Sequence, residues 1–359
     1  MTLDTRLGGH EMNHGETESV GLRLRPVNVA YGVNSAAADA YVKQAGLRGA
    51  GTRERDVLAQ GFRSHRRWNL HDYGGKLIPG LTYQNFFLGG QDHWQQADIT
   101  NIDDALRAAM TDTGLEGIMA QYWRGASAQV DTLNRIRLDS VEPALSFYTD
   151  DVERLVVQLA RSGQFAPEDF ASAACNLVLP PGVVLVDGPS PGSTPQADED
   201  AQEHERTQKS VIQIDDESAD SLHGLGGYHG SVHITDGHGR MTTIYYSVGV
   251  YSEIVAGHVN GIVAFDEPWK NVVATFYHEL QELRTDADVA DVNRTGGTRS
   301  SLKFLGWYSR TGRGEVGDLP INEAPALDEV FKEIALANGS GTVPIQLMWS
   351  NTDGGPASP

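Results

Sequence analysis

The feature that most constrains how this chain folds is an acidic segment, residues 187–220, that divides it. Its 34 residues contain ten Asp and Glu against only Arg206 and Lys209, a net charge of −8. The segment begins DGPSPGSTPQADEDAQEHE and is rich in Pro and Ser. A segment with so few apolar residues has little to bury, so we predict a solvated linker or a long surface insertion.

The rest of the sequence predicts two ordered blocks. Residues 1–73 show little sustained apolar periodicity, and we expect a poorly ordered lead-in there, with a loose tail at 352–359. Residues 74–186 and 221–351 each alternate strand-like with helix-like stretches. Such alternation predicts the α/β class, as a mixed α+β protein.

In the first block, residues 82–90 (TYQNFFLGG) are typical of a strand that ends at glycines. Apolar residues at helical spacing predict a helix over 102–110 and a second from Thr149 or Asp150 to Gly163. The apolar content of 117–123 indicates a buried strand. Residues 175–186 are predicted as two short strands around a Pro-Pro-Gly turn.

The second block contains the same two kinds of element. β-branched and aromatic residues favour strands, and residues spaced at i, i+3, i+4 favour amphipathic helices. The predicted strands are 243–251, 261–265, 303–308 and 343–349, and the predicted helices are 269–284 and a second one around 327–334 that ends at Asn338-Gly339.

Composition excludes several classes of protein. Lys and Arg total 28 against 48 Asp and Glu, a formal charge of −20, which argues against a nucleic-acid partner. A single cysteine, Cys175, excludes an intramolecular disulfide framework and a cysteine-based zinc finger. No apolar run is long enough to span a membrane. The first 20 residues lack the apolar core of a signal peptide, so we expect a cytoplasmic location, with export by another route as the alternative.

The sharpest chemical motif is YHELQE, residues 277–282. His278 and Glu282 are four residues apart, so on a helix both side chains project from one face and can share a metal ion. Glu279 would then lie beside a metal-bound water, where a carboxylate acts as general base. The motif H-E-x-x-E is weaker evidence for a metal site than H-E-x-x-H. The alternative is a solvated helix face on which His278 pairs with Glu282.

Further ligands can come from three places. The segment GRGEVGD, residues 312–318, presents Glu315 and Asp318 on a flexible turn after an apolar segment. Asp286 in TDADVAD reaches the same ion only if the helix unwinds after Glu282, since eight residues of helix separate the Cα atoms of positions 278 and 286 by about 12 Å. His229, in a glycine-rich YHG segment, is a candidate ligand or a donor to the transition state.

These motifs carry a family resemblance. Their order along the chain resembles that of the exordium-like (phosphate-induced protein) family of plants and of related bacterial metallopeptidase-like proteins. The motifs are, in order, H-E-L-x-E, T-D, GWYSRTGRGEVGD and PIQLMWSN. The segment 226–229, GGYH, is similar to their C-G-Y-H. The resemblance implies a zincin-like C-terminal half, with an active-site helix packed on a mixed sheet.

The resemblance also ranks the ligands. The E-x-G-D carboxylates persist in the family, whereas the position of Asp286 is often Asn, so Asp318 is favoured, with Glu315 next and Asp286 as a residue that ends the helix. The chain departs from the plant pattern at Pro320, near their cysteine, and at Ala287, where they have proline.

Two functional hypotheses follow. The first is a zinc-dependent, peptidase-like hydrolase acting on a peptide or protein: Zn²⁺, with Mn or Fe as alternatives, is held by His278, Glu282 and Asp318 or Glu315, with Glu279 as general base and His229 steadying the oxyanion. The second is a catalytically silent metal-binding or interaction module that retains the fold.

Overall fold

The computed structural model describes residues 29–31, 58–190, 219–235 and 239–358. Residues 1–28, 32–57 and 191–218 lie outside the described residues, and with them most of the predicted lead-in and acidic linker.

Helices and strands alternate along the described chain. The helices are α1 Gln96–Met110, α2 Thr113–Met119, α3 Thr149–Ser162, α4 Pro268–Thr285, α5 Val289–Arg294 and α6 Asp318–Glu323. The strands are β1 Val29–Tyr31, β2 Leu70–Asp72, β3 Gly80–Leu88, β4 Gln129–Thr132, β5 Ile136–Leu138, β6 Ser146–Tyr148, β7 Ala173–Val178, β8 Val184–Val186, β9 Leu225–Thr235, β10 Met241–Gly249, β11 Glu253–Val255, β12 His258–Asn260, β13 Trp307–Ser309, β14 Phe331–Ala335, β15 Thr342–Gln346, β16 Met348–Ser350 and β17 Gly355–Ala357.

A seven-stranded mixed sheet forms the centre of the described fold. Its order is β1-β9-β10-β7-β3-β4, with β5 also paired to β3. Strands β4, β3, β7 and β10 run parallel, whereas β9 is antiparallel to β10 and β1 is antiparallel to β9. This architecture confirms the mixed α/β class.

The segments on either side of the acidic segment both contribute strands to this sheet. Tyr245 of β10 pairs with Ala174 of β7, so one ladder joins the two sides. Every residue of β7 is buried. A strand covered on both faces belongs inside a parallel sheet and needs a neighbour on each edge, and the second block supplies one of them.

Helix α4 is the element around which the candidate site is built. It begins with Pro268 in its first turn, and every residue from Asn271 to Thr285 is buried. A helix buried on all sides belongs to the core. It lies against β9 and β10 of the sheet, against α1, and against β15.

Periodicity predicted α1, α3 and α4 correctly, but three other elements differ. Residues 117–123 are helical, because the Asp112 side chain accepts the N–H groups of Gly114 and Leu115 and begins α2. The segment 261–265 forms no strand, since the Asn271 side chain accepts the Ala264 and Phe265 N–H groups that a neighbouring strand would bind. Residues 327–338 contain a 3₁₀ turn followed by β14, which pairs with β15 instead of forming a helix.

The last part of the predicted lead-in and the predicted loose tail are ordered, which corrects both expectations. Strand β2 pairs with β13, β17 pairs with β16, and Leu58 bridges to Ala357. Phe62 and Ala357 are buried. Each segment has few apolar residues by itself, and each is ordered by the partner that lies far away in sequence.

Along the described residues, no helix combines the length and the apolar character that a membrane crossing requires.

Candidate metal centre

The H-E-x-x-E motif lies on α4 and points into the protein interior. His278, Glu279 and Glu282 each have 0% exposed surface. The Nε2 atom of His278 lies 3.1 Å from Oε2 of Glu282, as expected for residues four apart on one helical face. The alternative of a solvated helix face is therefore wrong, because this face is fully buried.

The carboxylate of Glu282 is oriented by the main chain at the start of α6. Its Oε1 accepts the N–H groups of Gly317 at 3.0 Å and of Asp318 at 3.1 Å. Its Oε2 lies 3.1 Å from Nε2 of His278, its ion-pair partner. One oxygen is thus committed to the backbone, and the other is turned toward the His278 ring.

Gln346 of β15 fixes the His278 ring from the opposite side. The Gln346 amide nitrogen donates to the Gly317 carbonyl at 2.6 Å, so the amide oxygen faces His278 Nδ1, also at 2.6 Å. An amide oxygen only accepts, so Nδ1 carries the hydrogen and Nε2 is the atom directed at Glu282. A histidine that donates one ring N–H to a fixed acceptor presents its other nitrogen for metal binding.

Asp318 completes the first group of donor atoms. Its Oδ1 lies 4.0 Å from His278 Nε2, and donor atoms of His278, Glu282 and Asp318 all lie within 4.8 Å of one another. Its Oδ2 accepts the Glu315 N–H at 3.0 Å. At 8% exposure, Asp318 is the member of the group closest to solvent.

His229 and Glu279 form a second group that shares Glu282 with the first. Nδ1 of His229 lies 3.3 Å from Oε2 of Glu279 and 3.9 Å from Oε2 of Glu282. Burial lowers the pKa of His229 to about 4, a shift that Glu282 opposes and His278 reinforces. The ring is therefore neutral at pH 7, which suits either metal binding or contact with a reacting oxygen.

Asp286 and Glu315 are close to the centre but belong to neither donor group. Asp286 follows the last residue of α4, and its Oδ1 accepts the Gly306 N–H at 2.7 Å, consistent with a residue that ends the helix. Glu315 is fully buried, and neither carboxylate oxygen has a hydrogen-bond partner among the described residues. The Glu315 main-chain N–H bonds Asp318 Oδ2, and Glu315 as a metal ligand stays a prediction that ranks below Asp318.

The charge balance of the centre fits a cation. Burial raises the pKa of Asp318 well above its usual range, and Glu282 raises it further, while burial and the neighbouring Asp286 do the same for Glu315. Burial lowers the pKa of His278, but Glu282, Glu279 and Asp318 more than reverse this and bring it to about 10. Buried carboxylates that converge are costly unless they are protonated or a positive charge neutralises them, and either protonated His278 or a bound cation can supply that charge. The buried His and carboxylate groups can hold a metal ion.

Sequence reasoning missed Gln346 as part of this centre. The residue was assigned only to a closing strand, VPIQLMW. Among those seven residues, only Gln346 and the indole of Trp349 have side-chain nitrogen or oxygen atoms that form hydrogen bonds. The amide of Gln346 is the one local signal. A lone amide in a buried strand requires a partner, but nothing local identifies the partner as His278.

The fold and the site together define a mixed α/β protein with a buried histidine–carboxylate centre. Comparisons with protein-family models, with curated proteins and with solved structures find no match to the chain. The exordium-like resemblance and the zincin-like fold of the C-terminal half therefore stay predictions from the sequence.

Proposed function

We propose that the protein is a metal-dependent, peptidase-like hydrolase whose ion is held by His278, Glu282 and Asp318. The observation that carries the proposal is the convergence of their donor atoms within 4.8 Å inside the core. Two of these atoms, His278 Nε2 and Glu282 Oε2, lie 3.1 Å apart and are fully buried. A cation held by them and by Asp318 would take the place of the proton that His278 shares with these carboxylates, since the same donor atoms bind either one.

Zn²⁺ is the ion we favour, because one imidazole with two carboxylates matches the donors of catalytic zinc sites; Mn and Fe ions accept the same donors. When bound, such an ion supplies Lewis acidity and lowers the pKa of a water at its open position. The proposed substrate is a peptide or protein.

Glu279 is the proposed general base, and His229 orients it. The Glu279 carboxylate lies next to the ligand Glu282 and 3.3 Å from Nδ1 of His229. A water between Glu279 and the ligand set would deliver its proton to this carboxylate. The neutral His229 ring contacts Glu279 through Nδ1 and so positions this carboxylate, and we assign the steadying of the developing oxyanion to the same ring.

A catalytically silent metal-binding module is the second candidate, and one observation favours it. His229, His278, Glu279 and Glu282 are each at most 1% exposed. A substrate reaches them only if the segment around Asp318 moves, whereas a structural ion needs no such access.

The test is a Glu279→Gln variant, with Glu323→Gln as a control on a half-buried carboxylate that belongs to neither donor group. We expect Glu279→Gln to retain metal and to lose peptide cleavage by about 10²–10⁴-fold, the contribution typical of a general base. Glu323→Gln should retain both, and His278→Ala should lose the metal. Metal content by mass spectrometry and cleavage of a peptide library are the readouts. Bound metal without any cleavage by the wild type supports the silent module, and wild-type protein that binds no metal overturns both candidates.

A further inference from the structure

Four exposed arginines lie together on a chain that is otherwise acidic. Arg63, Arg66 and Arg67 belong to the ordered segment before β2, and Arg310 follows β13. We call these four residues the arginine face. The two segments are neighbours because β2 and β13 pair.

The positive charges of the arginine face are not neutralised by nearby acids. None of the four arginines forms an ion pair with a carboxylate of the described residues; Arg66 donates to the Thr352 carbonyl and Arg310 contacts the His71 ring. Arginines elsewhere in the fold do pair with carboxylates, as at Arg107, Arg124, Arg135, Arg137, Arg154, Arg284 and Arg294. In a protein with 48 acidic residues, such a group of arginines marks a surface that an external anion can occupy.

Two further contacts show that the positive charges converge on one aromatic platform. His65 stacks on Trp68 with ring centroids 4.3 Å apart, and the Arg313 guanidinium carbon lies 3.9 Å from the centroid of the Trp68 ring. The pKa of His65 is lowered by burial and then by the charges of Arg67, Arg313 and Arg63. One carboxylate also lies here, since Glu323 Oε1 is 2.9 Å from His65 Nε2, and the arginines around the platform outnumber it.

One loop joins the arginine face to the candidate metal centre. Arg310 stands in the loop that leads from β13 to α6 and Asp318. That loop folds back so that the Ser309 N–H donates to the Gly314 carbonyl at 3.0 Å. Gly314 lies directly against the Asp318 carboxylate, since a Cβ there would be 1.9 Å from Oδ2. One short loop thus connects the arginine face to the most exposed ligand.

We propose that the arginine face binds acidic side chains of a polypeptide substrate beside the metal centre. This inference rests on the proposed hydrolase function and adds to it the class of substrate. Arginine guanidinium groups match carboxylate geometry with two parallel hydrogen bonds. An acidic peptide segment fits four local charges, whereas a long nucleic acid would be repelled by the net charge of −20.

Binding is tested on the full chain with the Glu279→Gln variant, so that turnover does not interfere. The probe is a fluorescein-labelled, glutamate-rich short peptide, with its glutamine-rich counterpart as the neutral comparison. Three substitutions of the arginine face are each combined with Glu279→Gln: Arg63→Gln, Arg67→Gln and Arg310→Gln. The matched control is Arg161→Gln, at an exposed arginine on α3. We expect the glutamate peptide to bind more tightly than its neutral counterpart. Each substitution in the arginine face should weaken binding of the glutamate peptide by about two- to fivefold, whereas Arg161→Gln should have no effect.

The outcomes separate this inference from the function on which it rests. Acidic peptide that binds but is never cleaved by the wild type overturns the hydrolase and leaves the arginine face supported. Cleavage of neutral and acidic peptides at equal rates, unchanged by the three substitutions, overturns the arginine face and leaves the hydrolase supported. Single-stranded DNA of equal charge that binds more tightly than the glutamate peptide also overturns the assignment to acidic polypeptides. Binding should weaken as salt rises, and binding independent of salt contradicts it.

Discussion

The amide oxygen of Gln346 lies 2.6 Å from Nδ1 of His278, and the amide nitrogen of the same side chain donates to the Gly317 carbonyl. Gly317 in turn donates its N–H to Glu282. Strand β15, helix α4 and the start of α6 are therefore held together through one side chain. This arrangement fixes which nitrogen of His278 faces Glu282 and which oxygen of Glu282 faces His278.

The first prediction concerns this contact. We expect Gln346→Leu to weaken zinc binding by about 10- to 100-fold, because the His278 ring loses the acceptor that fixes its orientation. Gln84→Leu is the control: Gln84 is also buried, but it donates to the Asn134 carbonyl away from the centre. Competition with a chromophoric chelator measures the affinity, and equal affinities of the two variants would show that Gln346 does not position the ligand.

The second prediction is that zinc affinity rises with pH. Although burial lowers the pKa of His278, the neighbouring carboxylates raise it to about 10, so the metal-free ring is protonated at neutral pH. Zinc must displace this proton. For each proton displaced, the association constant for zinc rises by about tenfold per pH unit. Calorimetry in buffers of different ionisation enthalpy counts the protons released. An affinity that is flat across neutral pH contradicts a protonated His278.

The stability of the metal-free protein changes with pH in the opposite direction to its zinc affinity. A raised pKa means that the folded state holds the His278 proton more tightly than the unfolded state does. This contribution to stability is complete below the unfolded value of 6.5 and is lost as pH rises through about 10. Denaturant titrations of metal-free protein should therefore show His278→Asn losing less stability than the wild type over this range.

The third prediction compares two glycines of the loop after β13. Gly314 has φ +100°, and a Cβ there would lie 1.9 Å from Oδ2 of Asp318; Gly312 has φ +70° and open space around it. We expect Gly312→Ala to cost about 1 kcal/mol from backbone strain alone. Gly314→Ala should cost about 2–4 kcal/mol, since it adds a clash to the strain, and should also displace Asp318 and weaken zinc binding. Thermal unfolding with and without zinc measures both effects, and identical behaviour of the two variants would contradict the placement of Asp318.

The sequence was most informative about the site where the chemistry is local. The i, i+4 spacing of His278 and Glu282 is a property of any helix, and the structure places the two side chains together as expected. Asp318 was ranked above Glu315, and the donor atoms follow that ranking. Gln346 was not predictable, since its role depends on how β15 packs against α4, and no local pattern encodes that packing.

The fold shows the same limit. Helices α1, α3 and α4 have periodic apolar faces, and these were predicted correctly. Val330, just before β14, and Phe331 and Ile334 within it have a spacing that also fits a helix, and the pairing of β14 with β15 decided the outcome. The sequence did not predict that strands from both sides of the acidic segment share one sheet, because the composition of that segment carries no information about which strands pair across it.

The shared sheet has a consequence for how and when the site forms. His229 enters from β9, His278 from α4, Asp318 from α6 and Gln346 from β15, so no single contiguous segment carries a complete set of donors. The parallel ladders that join β3, β7 and β10 close long loops, and contacts between residues far apart in sequence slow folding. A partly folded chain therefore cannot capture the ion with native affinity. The amount of zinc bound would therefore measure the fraction of chains that are fully folded. Because the ion binds only the native state, it would also raise the free energy of unfolding.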